Sequence, residues 1–444
     1  MTSTASRTLI PIELLRRSTR LKHTAATSSI GIVCDAKIKL EEEPKQSIKK
    51  RRKLELKKDV TASVPVVEVT PKIEKHTLAK EDRHSAGIKV ALSESLDALV
   101  ADGFIRLNED ELDLERTLMG GQSFRWTKDD RTFASRPVFT GIVQKYVFQL
   151  WRSAPSEIAF RVLNKLSRQE EPNLILARQL LEDYFRVDYK LEDLYKTWSM
   201  NDEHFALCSK GYKGFRILRQ DPLENVFSFI CATNNNIKRI SQMVENLCKH
   251  FGDILENRDE DKQSVYDSYQ SFPSVERLAQ DDVFDCLRYQ LGFGYRAKYI
   301  SETAKKLLKM STEAGFKSPR EYLLSLRSLD YKETRKQLMQ LSGIGRKVAD
   351  CICLMSMDHL RAVPIDCHIY EIVCRHYMPN LRKERKTLTD NVHDIIGDYF
   401  HNLHGPLAGW STSVLFVGEL KHLQSDQKRE TTHGRKDNRK ACKE

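Results

Sequence analysis

Gln340-Leu341-Ser342-Gly343-Ile344-Gly345-Arg346-Lys347-Val348-Ala349-Asp350 is the stretch on which the reading of this chain turns. It stands between two helical apolar patterns. Gly343 and Gly345 bracket one apolar residue, and glycines so spaced permit a tight turn whose main chain approaches a ligand closely. The helix that follows opens with N–H groups that have no partner inside it, which suits an anion. Leu341 and Ile344 supply apolar anchors. The stretch therefore reads as two helices joined by a hairpin that cradles a phosphate, with Gly343 and Gly345 against a DNA backbone. Glycines also serve helical hairpins for geometry alone.

Lys347 falls in the first turn of the second helix, where the positive end of the helix dipole disfavours a cation by roughly 0.3–1 kcal/mol. Helix stability does not select it. Two readings stand: a phosphate-binding lysine in the cradle, or a nucleophilic amine. With a reference pKa of about 10.4, only about one lysine in a few thousand is neutral at pH 7. The nucleophile reading therefore requires desolvation in a closed pocket to lower the Lys347 pKa.

Downstream, Val363-Pro364-Ile365-Asp366-Cys367-His368 leads into an amphipathic helix through Ile369, Ile372 and Val373, with Asp366 at its N-cap. Taken alone, Asp366 reads as a cap contributing about 1 kcal/mol. Its position 19 residues after Lys347, behind Val-Pro, gives it a second meaning. A hairpin lysine followed at that distance by such an aspartate resembles the helix-hairpin-helix glycosylase superfamily, whose Gly-Pro-Asp element appears here as Val363-Pro364-Ile365-Asp366.

The segment Lys347-Val348-Ala349-Asp350-Cys351-Ile352-Cys353-Leu354-Met355 is similar, nearly residue for residue, to the eukaryotic 8-oxoguanine DNA glycosylase/AP lyase family. Three further segments agree, in order: Gly121-Gln122-Ser123-Phe124-Arg125-Trp126; Phe227-Ser228-Phe229-Ile230-Cys231 running into Asn234-Asn235-Asn236-Ile237-Lys238-Arg239-Ile240; and Leu291-Gly292-Phe293-Gly294-Tyr295-Arg296-Ala297. The resemblance covers about residues 92 to 420.

What the resemblance implies fits the chemistry of these side chains. A glycosylase flips its target base out of the stack, at a cost of a few kcal/mol. Tyr295 suits a wedge, and Asn234, Arg239 and Arg296 offer donors to the abandoned cytosine. Oxidised guanine carries a hydrogen on N7, which a backbone acceptor at Gly121 distinguishes from a lone pair. Cys351 and Phe416 match positions that sandwich the extruded base, and Pro364, Met355 and His368 belong to the same region. Thr412 stands where the family usually has a Gln that contacts the base edge, a departure that weakens the full set of base contacts. The implied reaction is attack of a neutral Lys347 amine on C1′ while Asp366 stabilises the charge on the sugar, then a Schiff base and β-elimination. Lys347 and Asp366 are thus the expected catalytic pair. The implied partner is double-stranded DNA with oxidised guanine opposite cytosine, and a monomer is expected.

The rest of the chain frames these motifs. Phe139, Gly141, Val143, Tyr146, Phe148 and Leu150 alternate around a Gln144-Lys145 turn, and Phe160 to Leu163 extend a small antiparallel sheet. Ile237, Ile240, Val244, Leu247 and Phe251 lie on one helical face that Asn236 caps and Gly252 ends. The expected fold is α+β and mainly α. Residues 1–90 form a disordered basic extension, 91–218 an antiparallel-sheet domain, 219–420 a helical helix-hairpin-helix domain, and 421–444 a basic disordered tail.

Of the 444 residues, 73 are Lys or Arg and 62 Asp or Glu, for a net charge of +11. Residues 1–90 carry +9 of this and residues 421–444 carry +4, which leaves −2 for the middle. The positive charge belongs to the tails, so DNA binding by the folded part rests on placed contacts. Lys49-Lys50-Arg51-Arg52-Lys53 with Lys57-Lys58 suits nuclear import. The opening stretch, with Arg7, Arg16, Arg17, Arg20 and Lys22 among Ser and Thr, resembles a mitochondrial transit peptide. Ten scattered cysteines lack metal-ligand spacing, so reduced thiols without a metal ion or cofactor are expected. No apolar run reaches membrane-span length. Two rivals remain: a related glycosylase for another damaged base, and a non-enzymatic helix-hairpin-helix DNA-binding protein.

Overall fold

The structure is a computed structural model that describes residues 101–133, 136–164, 173–256, 269–384 and 387–418. The basic extension, its import cluster, the transit-like opening stretch and the tail from 421 lie outside the described residues.

The expected sheet is present and larger than the alternation indicated. Strands β1 (Gly103–Ile105), β2 (Trp126–Phe133), β3 (Arg136–Val143), β4 (Tyr146–Ala154) and β5 (Glu157–Val162) form one antiparallel sheet in the order β1-β5-β4-β3-β2. Val143 pairs with Tyr146, so Gln144 and Lys145 form the turn, with Gln144 at φ 56°. The middle of β3 and most of β4 are buried on successive residues, because both faces are covered. On one face Phe139, Phe148, Leu150 and Phe160 pack with Leu181, Tyr184 and Phe185, at the end of the helix Leu174–Tyr184. On the other, Val138, Trp151 and Ala159 form a small cluster.

Hydrophobic packing does not change partners at residue 218. The helices Leu191–Asn201 and Glu203–Ser209 place Leu191, Tyr195, Trp198 and Phe205 in the large core of the helical region, together with Phe215 and Ile217. Trp198 donates to the His404 carbonyl at 3.2 Å, and Trp410 to that of Phe215 at 2.9 Å. An indole N–H buried this deeply requires such a partner.

Beyond that point the chain is helical, as its pattern indicates. Pro222–Ala232 is capped by Asp221, whose side chain accepts from the N–H groups of Leu223 and Glu224. Ile237–Phe251 is capped by Asn236 and buries Ile240, Val244, Leu247 and Phe251. Gly252 ends it for a different reason than a left-handed cap: its φ is −89°, and a Cβ there would stand 2.0 Å from the Ser271 carbonyl oxygen. Ser271 directly follows a two-stranded ribbon of Ile254–Leu255 with Tyr269–Gln270, an element the helical reading of this region did not anticipate. The helices that carry the decisive stretch follow: Arg296–Glu313, Tyr331–Leu338, Arg346–Ser356, Cys367–Ile372, Asp390–His404 and residues 408–418.

Candidate active site

The hairpin forms where its glycines indicate. Leu341 and Ile344 are buried beneath it, and Gly343 takes a φ of 79°, in the left-handed region. A Cβ on Gly343 would also lie 2.6 Å from the Tyr299 ring, so the position excludes side chains on two counts. Gly345 is the N-cap of the Arg346–Ser356 helix, offers no side-chain cap, and has open space where a Cβ would sit. The hairpin carbonyls are pinned from behind, since Thr303 donates to Ser342 O at 2.9 Å and Lys306 to Gln340 O. The hairpin main chain is therefore held in place from within the protein.

One cleft gathers most of the residues singled out in the sequence. Gly121, Lys347, Cys351, Met355, Pro364, Asp366, Thr412 and Phe416 all line it, together with Gly120, Gln122, Phe215, Ile217, Phe229, Ile369, Ser413 and Val417. Lys347 is half-buried, with its amine 5.9 Å from the centre of the Phe229 ring. Asp366 caps the Cys367–Ile372 helix: its Oδ1 accepts from the N–H groups of His368 and Ile369, both at 3.0 Å. His368 stands edge-on to Phe416, ring centres 6.2 Å apart. Asp350 of the lysine motif plays no part in the cleft; it is buried and accepts from the Tyr331 hydroxyl at 2.6 Å, which ties the two hairpin helices together.

The Lys347 amine departs from expectation. Cys351, one turn along the same helix, raises its pKa; desolvation lowers it, and Asp366 raises it further, so the balance lies above the ordinary lysine value. Desolvation does not win, because the cleft that removes water also brings two acidic groups to the amine. Burial pushes the Cys351 thiol up in turn, opposed by Lys347.

Thr412 also departs. It is 1% exposed, and its hydroxyl bonds to the carbonyls of Ala408 at 2.8 Å and Gly409 at 3.1 Å. The group expected at the base edge is spent on its own helix. Phe215, Ile217, Ser413 and Phe229 are lining residues that were not singled out for the cleft; Phe229 lay in a quoted motif, whereas the other three carry no signal in the sequence.

The residues expected at the opposite base form a second group. Asn234 is exposed in the left-handed region at φ 49°, a conformation asparagine tolerates. Tyr295 is 45% exposed, and its hydroxyl donates to Thr233 O at 3.2 Å. Arg239 is exposed on the first turn of the next helix. Arg296 is buried, stacks 4.6 Å over the Tyr295 ring, and gives Nη2 to the carbonyls of Thr233 at 2.5 Å and Asn234 at 3.0 Å. Arg296 builds the Asn234 loop rather than presenting its guanidinium outward.

Known proteins resemble this chain over most of its length. Residues 104–226 match the model of the 8-oxoguanine DNA glycosylase N-terminal domain, and residues 227–394 that of the HhH-GPD superfamily of base excision DNA repair proteins. The chain is 35% identical over 336 residues to the N-glycosylase/DNA lyase of Saccharomyces cerevisiae, spanning 72% of this chain and 86% of that one. It is 34% identical over 319 residues to the N-glycosylase/DNA lyase OGG1 of Arabidopsis thaliana, spanning 71% and 80%. Among solved structures, MBOgg1 in complex with a low-affinity DNA ligand matches with a TM-score of 0.58 at 27% identity, covering 72% of this chain and 95% of that one.

Two outcomes follow. Gly343→Ala combines a left-handed backbone with a clash on Tyr299, so thermal unfolding should show a loss of at least about 1–2 kcal/mol, with weaker duplex binding. The raised Lys347 pKa makes the neutral amine scarce at pH 7, and its fraction grows about tenfold per pH unit. The stability carried by this shift is complete below the unfolded pKa and is lost as pH climbs through the folded one. With Lys347 as the reacting amine, kcat/KM for excision should rise without a plateau up to the ordinary lysine value of about 10.4, and Cys351→Ala should bring the plateau to lower pH. A wild-type plateau near neutrality in the pH–rate profile would contradict this.

Proposed function

Because the chain belongs to the 8-oxoguanine DNA glycosylases of the HhH-GPD base excision repair superfamily, we propose that Lys347 is the nucleophile with which it excises the base and cuts the strand. The activity itself, removal of 8-oxoguanine with DNA lyase action, comes with the family. The assignment of residues rests on one observation: Lys347 and Asp366 line the same apolar-walled cleft as Gly121, Cys351 and Phe416.

In this reading Lys347 first loses a proton. Its lone pair forms a bond to C1′ as the glycosidic bond breaks, and the electron pair of that bond leaves with the base, which takes up a proton. The Asp366 carboxylate, fixed by two helix N–H groups, stabilises the positive charge that develops on the sugar. Ring opening gives a Schiff base on Lys347, and loss of the C2′ proton expels the 3′ phosphate by β-elimination. Phe416 and Cys351 flank the extruded base, with Met355, Pro364 and His368 closing the walls. Thr412 contributes shape rather than a hydrogen bond.

The opposite base is cytosine, met by Asn234 and Arg239, with Tyr295 entering the stack and Arg296 holding the loop. Gly343 and Gly345 bind phosphate, and one protomer suffices. The basic cluster at 49–58 directs the enzyme to the nucleus, and the opening stretch sends a share to the mitochondrion.

Borohydride trapping on an 8-oxoguanine:cytosine duplex is expected to give a covalent adduct that Lys347→Gln abolishes. Asp366→Asn should retain the cap, leaving Tm nearly unchanged, while excision falls on the order of 10²-fold. An adduct of full strength in Lys347→Gln would sink the assignment. Fluorescent fusions lacking residues 1–60 should leave the nucleus; unaltered nuclear accumulation would remove the targeting role from this segment.

A further inference from the structure

Ile237 opens the Ile237–Phe251 helix and is 48% exposed, whereas Ile240 and Val244 of the same helix are buried. It contributes little to the core. Its side chain instead meets Gly121: a Cβ on that glycine would lie 3.0 Å from Ile237 Cδ1 and 3.3 Å from Cγ1. Gly121 lines the cleft with a φ of 84°, a conformation open to glycine and easily changed. Asn234 stands three residues before Ile237, on the loop that Arg296 holds through its carbonyls and that Asn236 caps onto the helix.

Ile237 is thus the contact between main chain lining the lesion cleft and the loop assigned to the opposite strand. We propose that Ile237 is a positioning residue that couples the two, setting the Gly121 main chain against the extruded base when the Asn234 loop engages cytosine. The inference rests on the opposite-base and Gly121 assignments above. A β-branched side chain is stiff at χ1, so displacement of the helix start passes to Gly121 with little loss. Docking of DNA on this face buries an apolar group that is otherwise left in water.

The test compares single-turnover excision of 8-oxoguanine opposite cytosine and opposite adenine with strand cleavage at a preformed abasic site opposite cytosine. Abasic cleavage uses Lys347 but no base contact. Ile237→Ala should lower excision opposite cytosine about tenfold and narrow the cytosine-to-adenine ratio, with abasic cleavage held within about twofold. Ile237→Leu, which keeps a δ-carbon, should restore excision. Unchanged excision in Ile237→Ala overturns the inference, as does abasic cleavage that falls in step with excision. A wild-type enzyme with no preference for cytosine would instead overturn the opposite-base assignment, and the inference with it.

Discussion

The cleft depends on a short stretch of chain, residues 216–220, and on the Gln122 amide that clasps it. Gln122 is 2% exposed; its Nε2 donates to Thr117 O at 3.1 Å and Arg216 O at 2.7 Å, and its Oε1 accepts from Leu218 N at 3.0 Å. Its main-chain carbonyl accepts from Gln220 Nε2 at 2.7 Å, and Gln220 N donates to Met355 O at 2.8 Å. One end of this chain of bonds fixes the residue beside Gly121, and the other fixes the end of the helix that carries Lys347. Leaving such a buried group unsatisfied costs about 1–3 kcal/mol, so the two walls are held in register by bonds that cannot be loosened singly. Arg216 reinforces the stretch: it is fully buried, with donors on the carbonyls of Glu111, Arg186 and Tyr189.

Within that frame, electrostatics acts locally. The net charge of the chain lies in its tails, so in the proposed reading the folded region meets DNA through placed groups: the hairpin main chain, the exposed Asn234 loop, and one amine in a cleft. A lysine beside a carboxylate and a thiol is stabilised as a cation before DNA arrives. In the proposed reading the rate then follows the fraction of that amine that has lost its proton.

The hairpin was legible because two glycines, two apolar anchors and a lysine repeat a geometry with few sequence solutions. Asp366 was legible for the same reason, since an N-cap behind Val-Pro fixes its own backbone. The sheet could be read from alternation around Gln144, but its extent could not, as β1 has only three residues and β2 is largely polar. The ribbon at 254–270 escaped because two-residue strands carry no period. Helices 191–209 gave no sign of which core they join, since an amphipathic face does not name its partner. Arg296 and Thr412 show what residue type leaves out: packing gives Arg296 Nη2 to two loop carbonyls and the Thr412 hydroxyl to its own helix.

The same accounting applied to the cleft as a whole limits how a base is read there. Its polar lining side chains are Gln122, Lys347, Cys351, Asp366, Thr412 and Ser413. The Gln122 amide is committed to the clasp, Thr412 to Ala408 and Gly409, and Ser413 to Gly409 O at 2.7 Å. In the proposed reading Lys347 and Asp366 serve the sugar, and the Cys351 thiol flanks the base. The main chain at Gly120 and Gly121, which lies in neither helix nor strand, adds hydrogen-bonding groups to this lining. Main-chain groups cannot be altered by side-chain replacement, but their direction depends on what presses on them. Selectivity in such a cleft follows from the walls that hold a glycine in place, and hence from residues that never touch the base.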